Sequence, residues 1–442
     1  MLFGSSGIRR SYDDTFPVLG MRVGAAVAHL IGTGNSIALG HDSRKTSPLL
    51  YQSLTAGCLA NGVNVAHCGL VPTPTVAYAG RKHAASAMIT ASHNPEPDNG
   101  IKLFTPDGAS FSHDAQEKIE AFLMHEEKET KRYGSWNEQG TTYMSDAISS
   151  HKKAILKNCS DIDGTPLILD CGNGAGCTIS PALLSEAGAK LHTINGQTAP
   201  LFARPSEPLE VHLPYIPKMI QKIGAKAALI HDGDADRLMA FDDKGRYIPG
   251  DQLLLLFARH LGVQKVVTTY DASMVLEEQV DVRRTPVGDA HVSLELKQWG
   301  DLGGEPSGAW IFPTLSYCPD GPHAACVLAE IASETLLSEE IDSIPVYPIL
   351  RESLRIEDHF SIMYALGAEN PTDGFRFETE DGWCLIRASG TEAKIRITAE
   401  GKNESTAKEL LAKGHEYVCA GKEQIKKGKP KNGESKIERG DI

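Results

Sequence analysis

Thr90-Ala91-Ser92-His93-Asn94-Pro95 follows a short apolar strand candidate, Ala87-Met88-Ile89. A strand that ends among Ser, Asn and Pro turn formers presents its serine on a stiff loop, not inside a helix. A few residues on, Asn99-Gly100-Ile101-Lys102 can return a lysine to the same neighbourhood. A hydroxyl that accepts and gives back a phosphoryl group needs such a mount, with cations nearby to offset charge on the transferring oxygens. A plain Asx/Pro turn with an exposed serine fits the hexapeptide equally well. The rest of the chain decides between them.

Strand and helix alternate around this loop. An apolar-periodic stretch over 18–31 predicts a helix, and residues 36–40 a strand that ends in His41-Asp42-Ser43-Arg44. A second helix over 49–61 leads to a strand over 63–67. This alternation implies an α/β layer with a largely parallel sheet. At the start, Phe3-Gly4-Ser5-Ser6-Gly7-Ile8-Arg9-Arg10 can aim backbone amides at an anion beside Arg9, although a structural turn also fits. The polar segment 113–140 reads as an exposed helix and a connection, which places a domain boundary near 145.

The alternation then repeats. The strand candidate Leu167-Ile168-Leu169-Asp170 runs into Cys171-Gly172-Asn173-Gly174-Ala175-Gly176. The third glycine comes too early for a dinucleotide fingerprint, and no ribose-binding acid follows at the usual distance. A tight strand-to-helix turn is sufficient. Next, Ala227-Ala228-Leu229-Ile230 leads into His231-Asp232-Gly233-Asp234-Ala235-Asp236-Arg237. Three carboxylates at alternate positions of an extended loop project together and repel one another. Their natural partner is a hard divalent cation with oxygen ligands, most plausibly Mg²⁺ completed by a phosphate oxygen. A calcium loop of the EF-hand type fails on Arg237, on Asp243 and on the preceding apolar strand, which leaves a solvated acidic turn as the competing reading.

A third alternation begins at Val266-Val267-Thr268-Thr269 and reaches Gly303-Gly304-Glu305-Pro306-Ser307-Gly308-Ala309-Trp310. Glycines flanking Glu and Ser make a close-approach loop whose side chains suit sugar hydroxyls, while Trp310 also reads as a packing residue. Cys318-Pro319-Asp320-Gly321 precedes a helix over 324–336. The last segment differs, with strands over 374–378 and 383–387 around a Glu-Asp-Gly turn. Arg387-Ala388-Ser389-Gly390-Thr391-Glu392-Ala393-Lys394 offers charge, hydroxyls and open amides to a phosphate dianion, or else is a surface turn.

The 442 residues are too many for one core. A formal net charge of -13, with no basic face in the pattern, argues against a nucleic-acid partner. The one dense lysine run, 422–436, contains Gly and Pro and reads as a frayed tail. Nine cysteines, none in a Cys-x-x-Cys pair, read as reduced thiols used as small apolar residues. The N-terminus lacks a basic and apolar leader pattern, and no apolar stretch is long enough for a bilayer. A soluble cytoplasmic protein with no membrane partner is expected.

With these pieces in order, the chain resembles the α-D-phosphohexomutase superfamily along nearly its whole length. The matches are Phe-Gly-Ser-Ser-Gly-Ile-Arg from Phe3, Thr-Ala-Ser-His-Asn-Pro from Thr90, Asp-Gly-Asp-Ala-Asp-Arg from Asp232, Gly-Glu-Pro-Ser-Gly from Gly304 and Arg-Ala-Ser-Gly-Thr-Glu from Arg387. The resemblance implies three similar α/β domains with mixed, largely parallel sheets, plus a smaller C-terminal α+β domain of TATA-binding-protein-like fold, around a central cleft. The boundaries expected are 1–145, 146–245, 246–345 and 346–442.

It also implies roles. Ser92 would be the phosphoserine, and would share Mg²⁺ with Asp232, Asp234 and Asp236. Lys102, His93 and Arg9 would belong to the reaction centre, with Lys102 as acid/base. Arg237, Glu305 and Ser307 would meet the sugar, while Arg387, Ser389, Gly390 and Thr391 would grip the phosphate not being transferred. The expected activity is a phosphohexomutase that works on hexose phosphates as monomer or homodimer. The Gly-Glu-Pro-Ser-Gly-x-Trp form followed by Cys-Pro-Asp-Gly resembles archaeal members assigned as phosphoglucosamine mutases, with phosphomannomutase/phosphoglucomutase as the alternative. The chain departs from the family in Ala388 and Ala393, where proline is usual or frequent, and in Arg10, where glycine is usual. A sugar-phosphate phosphatase is the reading from another class; a kinase would need a nucleotide loop that is absent.

Overall fold

Short, mostly apolar runs became fully buried strands, as Ala85–Ile89 illustrates with all five residues buried. The computed structural model describes residues 2–4, 7–125, 134–162, 164–390 and 393–426. They fall into two compact units, 1–267 with 288–343, and 268–287 with 344–442.

In the first unit, a six-stranded sheet has the order Ile8–Ser11, Asp98–Phe104, Ala85–Ile89, Ser36–His41, Asn64–Leu70, Thr142–Met144. The last four strands are parallel. Asp98–Phe104 runs antiparallel to both neighbours, because the short loop containing Ser92 turns the chain straight back beside Ala85–Ile89. That hairpin sets Lys102 opposite Met88, while Arg9 lies opposite Gly100 on the other side. Two helices, Phe16–Ile31 and Ser47–Leu59, pack closely together on this layer. Their glycines allow it: a Cβ on Gly24 would lie 2.3 Å from the Leu54 carbonyl oxygen, and one on Gly57 2.0 Å from that of Met21.

A five-stranded sheet follows, ordered Tyr247–Ile248, Leu238–Phe241, Ala227–His231, Pro166–Asp170, Lys190–Ile194. Leu238 pairs with His231 in an antiparallel hairpin, so the whole acidic segment 232–237 becomes its closing loop. In a third sheet, Val266 and Val267 run parallel to Leu302 and Gly303, which continue antiparallel to Trp310–Ile311. The helix Gly250–Leu261 packs on it, while the helix Gly321–Glu334 packs on Ala227–His231 and Leu238–Phe241 of the second sheet. The Asp320 side chain caps this latter helix by accepting from the His323 amide at 2.9 Å. Trp310 is a packing residue: it is fully buried, edge-on to Phe257, and its indole N–H donates to the Leu238 carbonyl at 2.8 Å.

The second unit carries a four-stranded antiparallel sheet, Ile349–Arg355, Lys394–Gly401, Gly382–Ala388, Phe375–Thr379. Met363 of the helix His359–Ala365 and Val418 of the helix Glu404–Lys426 share a core with Ile386, Ala388, Ile395 and Ile397. The final helix extends through Lys426, so the first part of the 422–436 lysine run is helical, not frayed; the remainder lies outside the described residues. Among the described residues no helix is long and apolar enough to cross a membrane.

Candidate active site

Ser92 sits one turn past the end of the strand Ala85–Ile89, with its backbone in the left-handed region at φ 53°. Thr90 shapes the turn: its hydroxyl accepts from the Ser92 amide at 2.8 Å and donates to Asp42 at 2.7 Å. The Ser92 hydroxyl donates to Oδ2 of Asp232 at 2.9 Å and lies 3.4 Å from Nδ1 of His93. The serine loop and the acidic loop, 140 residues apart in sequence, therefore meet at their reactive atoms.

Asp232, Asp234 and Asp236 each present an oxygen within 4.8 Å of the others, and all three are buried. Lys102 donates from Nζ to Asp234 at 2.7 Å and to Asp236 at 2.5 Å. Burial pushes the Asp232 carboxyl upward, reinforced by Asp236 and Asp234. Asp236 moves the same way, from burial and then Asp234. Burial also acts on Asp234, but the ammonium of Lys102 outweighs it and holds that carboxyl low. For Lys102 burial opposes the charge, yet the two aspartates win and its affinity for its proton rises. The buried carboxylates thus oppose one another's ionisation, while the ammonium of Lys102 favours it.

His93 is driven the other way, to about 2, by burial and then by the cations Arg237, Arg9 and Lys102. It stays a neutral imidazole at physiological pH. Arg237 is held protonated despite burial by Asp232, Asp236, Glu305 and Glu207. Glu305 is buried at the turn of its loop, where its Oε1 accepts from the Gly288 amide at 2.8 Å. The Leu238 amide donates to the Gly308 carbonyl at 2.9 Å, which fastens that loop to the acidic hairpin and leaves Ser307 exposed at its tip. The first unit thus brings together Ser92, His93, Lys102, Arg9, the three aspartates, Arg237 and Glu305.

In the second unit, Arg387 is the penultimate residue of the strand Gly382–Ala388, and Ser389 and Gly390 follow that strand on the way to Lys394–Gly401. The Ser389 amide donates to the Lys394 carbonyl at 2.9 Å and closes the turn. Thr391 lies outside the described residues.

The chain matches four models in succession: phosphoglucomutase/phosphomannomutase alpha/beta/alpha domain I over residues 1–130, domain II over 143–245, domain III over 249–347 and the C-terminal domain over 352–413. A probable phosphoglucosamine mutase of Methanocella arvoryzae is 41% identical over 94% of this chain and 98% of its own length. The chain belongs to the phosphoglucomutase/phosphomannomutase family. A phosphoglucosamine mutase of Methanococcus aeolicus is 38% identical, with 95% and 98% covered. The fold matches that of a phosphoglucomutase/phosphomannomutase family protein from Burkholderia thailandensis, with a TM-score of 0.84, 22% identity and 95% and 97% coverage. It also matches an Aspergillus fumigatus N-acetylphosphoglucosamine mutase, solved with GlcNAc-6P and magnesium, with a TM-score of 0.56, 15% identity and 95% and 96% coverage.

The acidic triad of this phosphoglucomutase/phosphomannomutase family member fits a metal ion. Among the described residues, Oδ1 of Asp234 and Oδ1 of Asp236 are buried with no hydrogen-bond partner. Buried acceptors left unpaired cost about 1–3 kcal/mol each, and a hard cation with oxygen ligands would satisfy both. The Nε of Arg9 is likewise buried without a partner among the described residues, a donor available to an anion.

Several contributing residues were not singled out from the sequence. Thr73 donates its hydroxyl to Asp234 at 2.5 Å. Arg44 donates to the carbonyls of Ser92 and Asn94, each at 2.7 Å, and Ser206 bridges Ser92 and Gly233. Arg396 lies directly across the ladder from Arg387. Like charges opposed in a sheet are unfavourable unless an anion joins them. Arg44 ended a strand whose carboxylate neighbour could have flagged a buried pair; the other three carry no local signal.

Proposed function

We propose that this chain is an isomerase, a Mg²⁺-dependent phosphohexomutase that moves a phosphoryl group between O6 and O1 of an aldohexose. The observation that carries the reading is the Ser92 hydroxyl 2.9 Å from Asp232, inside a buried carboxylate triad with unpaired oxygens. Asp232, Asp234 and Asp236, with the Ser92 oxygen, would hold the Mg²⁺. When bound, the ion supplies positive charge against the phosphoryl oxygens.

Phosphorylated Ser92 gives its group to the free hydroxyl of a hexose phosphate and forms a 1,6-bisphosphate. The bisphosphate turns over and returns the other phosphoryl group to Ser92, a ping-pong cycle in which one nucleophile serves both directions. Lys102, placed by the antiparallel return of its strand, is assigned proton transfer at the sugar oxygen. Arg9 and Arg237 offset charge on the phosphoryl oxygens, while neutral His93 orients the serine oxygen by hydrogen bonding. Arg387, Ser389, Gly390 and Thr391 bind the phosphate that is not being transferred, with Arg396 beside them.

For the substrate, the reading is glucosamine phosphate. Glu305, buried and fixed by the Gly288 amide, is assigned to the C2 substituent, where a carboxylate favours an ammonium. The relatives named as phosphoglucosamine mutases support the same choice. The second reading, phosphoglucomutase/phosphomannomutase, rests on the same carboxylate, which also accepts from a neutral hydroxyl. The deciding experiment compares kcat/KM for glucosamine 6-phosphate, glucose 6-phosphate and mannose 6-phosphate under one set of conditions. Preference for the amino sugar is expected. A clear preference for either neutral sugar overturns the substrate, and release of inorganic phosphate without bisphosphate overturns the mutase in favour of a phosphatase.

A further inference from the structure

The Ser92 carbonyl accepts from two side chains that belong to different parts of the first unit. Nη2 of Arg44 reaches it at 2.7 Å and the Ser206 hydroxyl at 3.2 Å. Arg44 is fully buried and spends all five of its N–H groups. Nη2 serves Ser92 and Asn94, and Nη1 serves Pro95 at 2.6 Å and Asp98 at 3.1 Å. Nε pairs with Asp42 at 3.0 Å. The guanidinium thus fills the inside of the serine loop and has no donor left for a substrate.

Ser206 ties that loop to the acidic one. Its oxygen accepts from the Gly233 amide at 2.9 Å while its proton goes to Ser92. Gly233 stands between Asp232 and Asp234, and a Cβ there would come within 2.7 Å of the Ser206 oxygen and 2.9 Å of the Ser92 carbonyl oxygen. Ser206 is itself held by a second buried acid–arginine pair. Arg204 bonds Asp170 at 3.0 Å, the Pro205 carbonyl at 3.1 Å and the His231 carbonyl, just before the triad, at 2.6 Å.

A serine at φ 53° persists only where its surroundings over-determine it. We propose that Arg44 and Ser206 are positioning residues that hold Ser92 in this left-handed turn, with its hydroxyl aimed at Asp232. Neither touches substrate. The role rests on the mutase reading above, and it makes the rate of phosphoryl transfer to Ser92, not substrate affinity, the quantity these residues control.

The test uses the full-length chain with Mg²⁺ and glucose 1,6-bisphosphate. In a single turnover the Ser92 oxygen bonds phosphorus, a sugar P–O bond breaks, and the departing sugar oxygen takes the proton the serine loses. Intact-mass measurement follows the gain of phosphate. Ser206→Ala should slow transfer by about tenfold, the loss of one hydrogen bond expressed in rate, with KM within about twofold and an almost unchanged Tm. Arg44→Ala should slow it by about a hundredfold, as expected for a displaced nucleophile, with partial restoration by added guanidinium and none by Arg44→Lys, whose ammonium cannot reach four carbonyls.

Wild-type transfer in Ser206→Ala, or a raised KM with unchanged transfer, overturns the proposal. If Arg44→Ala does not fold, Ser206→Ala decides alone. Should wild-type Ser92 take up no phosphate, the mutase reading is what has failed. A crystal structure of Ser206→Ala then tests positioning without activity: Ser92 departing from the left-handed turn supports it, and retention of the turn and its Asp232 contact overturns it.

Discussion

Thr73 grips Asp234 twice, its hydroxyl donating to the carboxylate at 2.5 Å and its amide to the Asp234 carbonyl at 3.0 Å. A residue that orients a metal ligand typically controls affinity without touching the ion. Thr73→Val keeps the shape and removes the hydroxyl. The Mg²⁺ concentration for half-maximal activity of chelator-stripped enzyme should rise by about 10–100-fold. An unchanged Mg²⁺ titration would remove Thr73 from the support of the metal site.

Ser92→Ala deletes the hydroxyl that meets Asp232. Peptide mass spectrometry after incubation with glucose 1,6-bisphosphate should find phosphate on Ser92 in the wild type and none in the variant. Mutase turnover should fall to background, a loss of at least about a thousandfold for removal of a covalent nucleophile. Full activity in the variant sinks the ping-pong scheme.

Arg387→Ala should chiefly raise KM, because the guanidinium is assigned a grip that is made before and during reaction alike. Losing a charge-assisted bond of about 1.5–3 kcal/mol corresponds to a KM increase of roughly 10–150-fold. A smaller fall in kcat is expected as the reacting hydroxyl loses its placement. Initial-rate kinetics with an unaltered KM for every hexose phosphate tried would refute the assignment.

Nε2 of His260 bonds Glu330 at 3.0 Å. The bond to Glu330 raises His260 above 6.5. Burial opposes ionisation of Glu330, but His260 and its other partners outweigh it and hold it below 4.5. The histidine's contribution to stability is therefore present below its unfolded value and lost as pH climbs through the raised one; the glutamate's is present above its unfolded value and lost as pH falls through the lowered one. The Tm difference between wild type and His260→Gln should be largest near about pH 5.5 and smaller near about pH 9. A difference that grows toward pH 9 would reverse the sign and refute the pairing.

The site was legible where its chemistry is local. A serine among turn formers, three aspartates at alternate positions and a glycine-flanked glutamate each declare themselves within a few residues. The structure brings Ser92, the triad, Lys102 and Glu305 into one unit. Thr73 and Ser206 were not legible, because their partners stand 161 and 114 residues away; Arg44 shows only its Asp42 neighbour, since the Ser92 carbonyl it holds lies 48 residues away. No spacing rule links a threonine to an aspartate at that distance. Trp310 left two roles open that only its burial could separate.

The sequence by itself determined the alternation of strand and helix, the placing of reactive groups on loops and the family to which they belong. These follow from short-range physics: periodicity selects the element, and Gly, Asn and Pro select the turn. Only the tertiary structure decided the charge states and the aim of the reactive groups. A carboxylate moves up or down according to what buries it and which ammonium lies within reach, and those neighbours arrive from other strands. The left-handed turn at Ser92 is likewise a tertiary decision, since its carbonyl is held by donors from two distant loops.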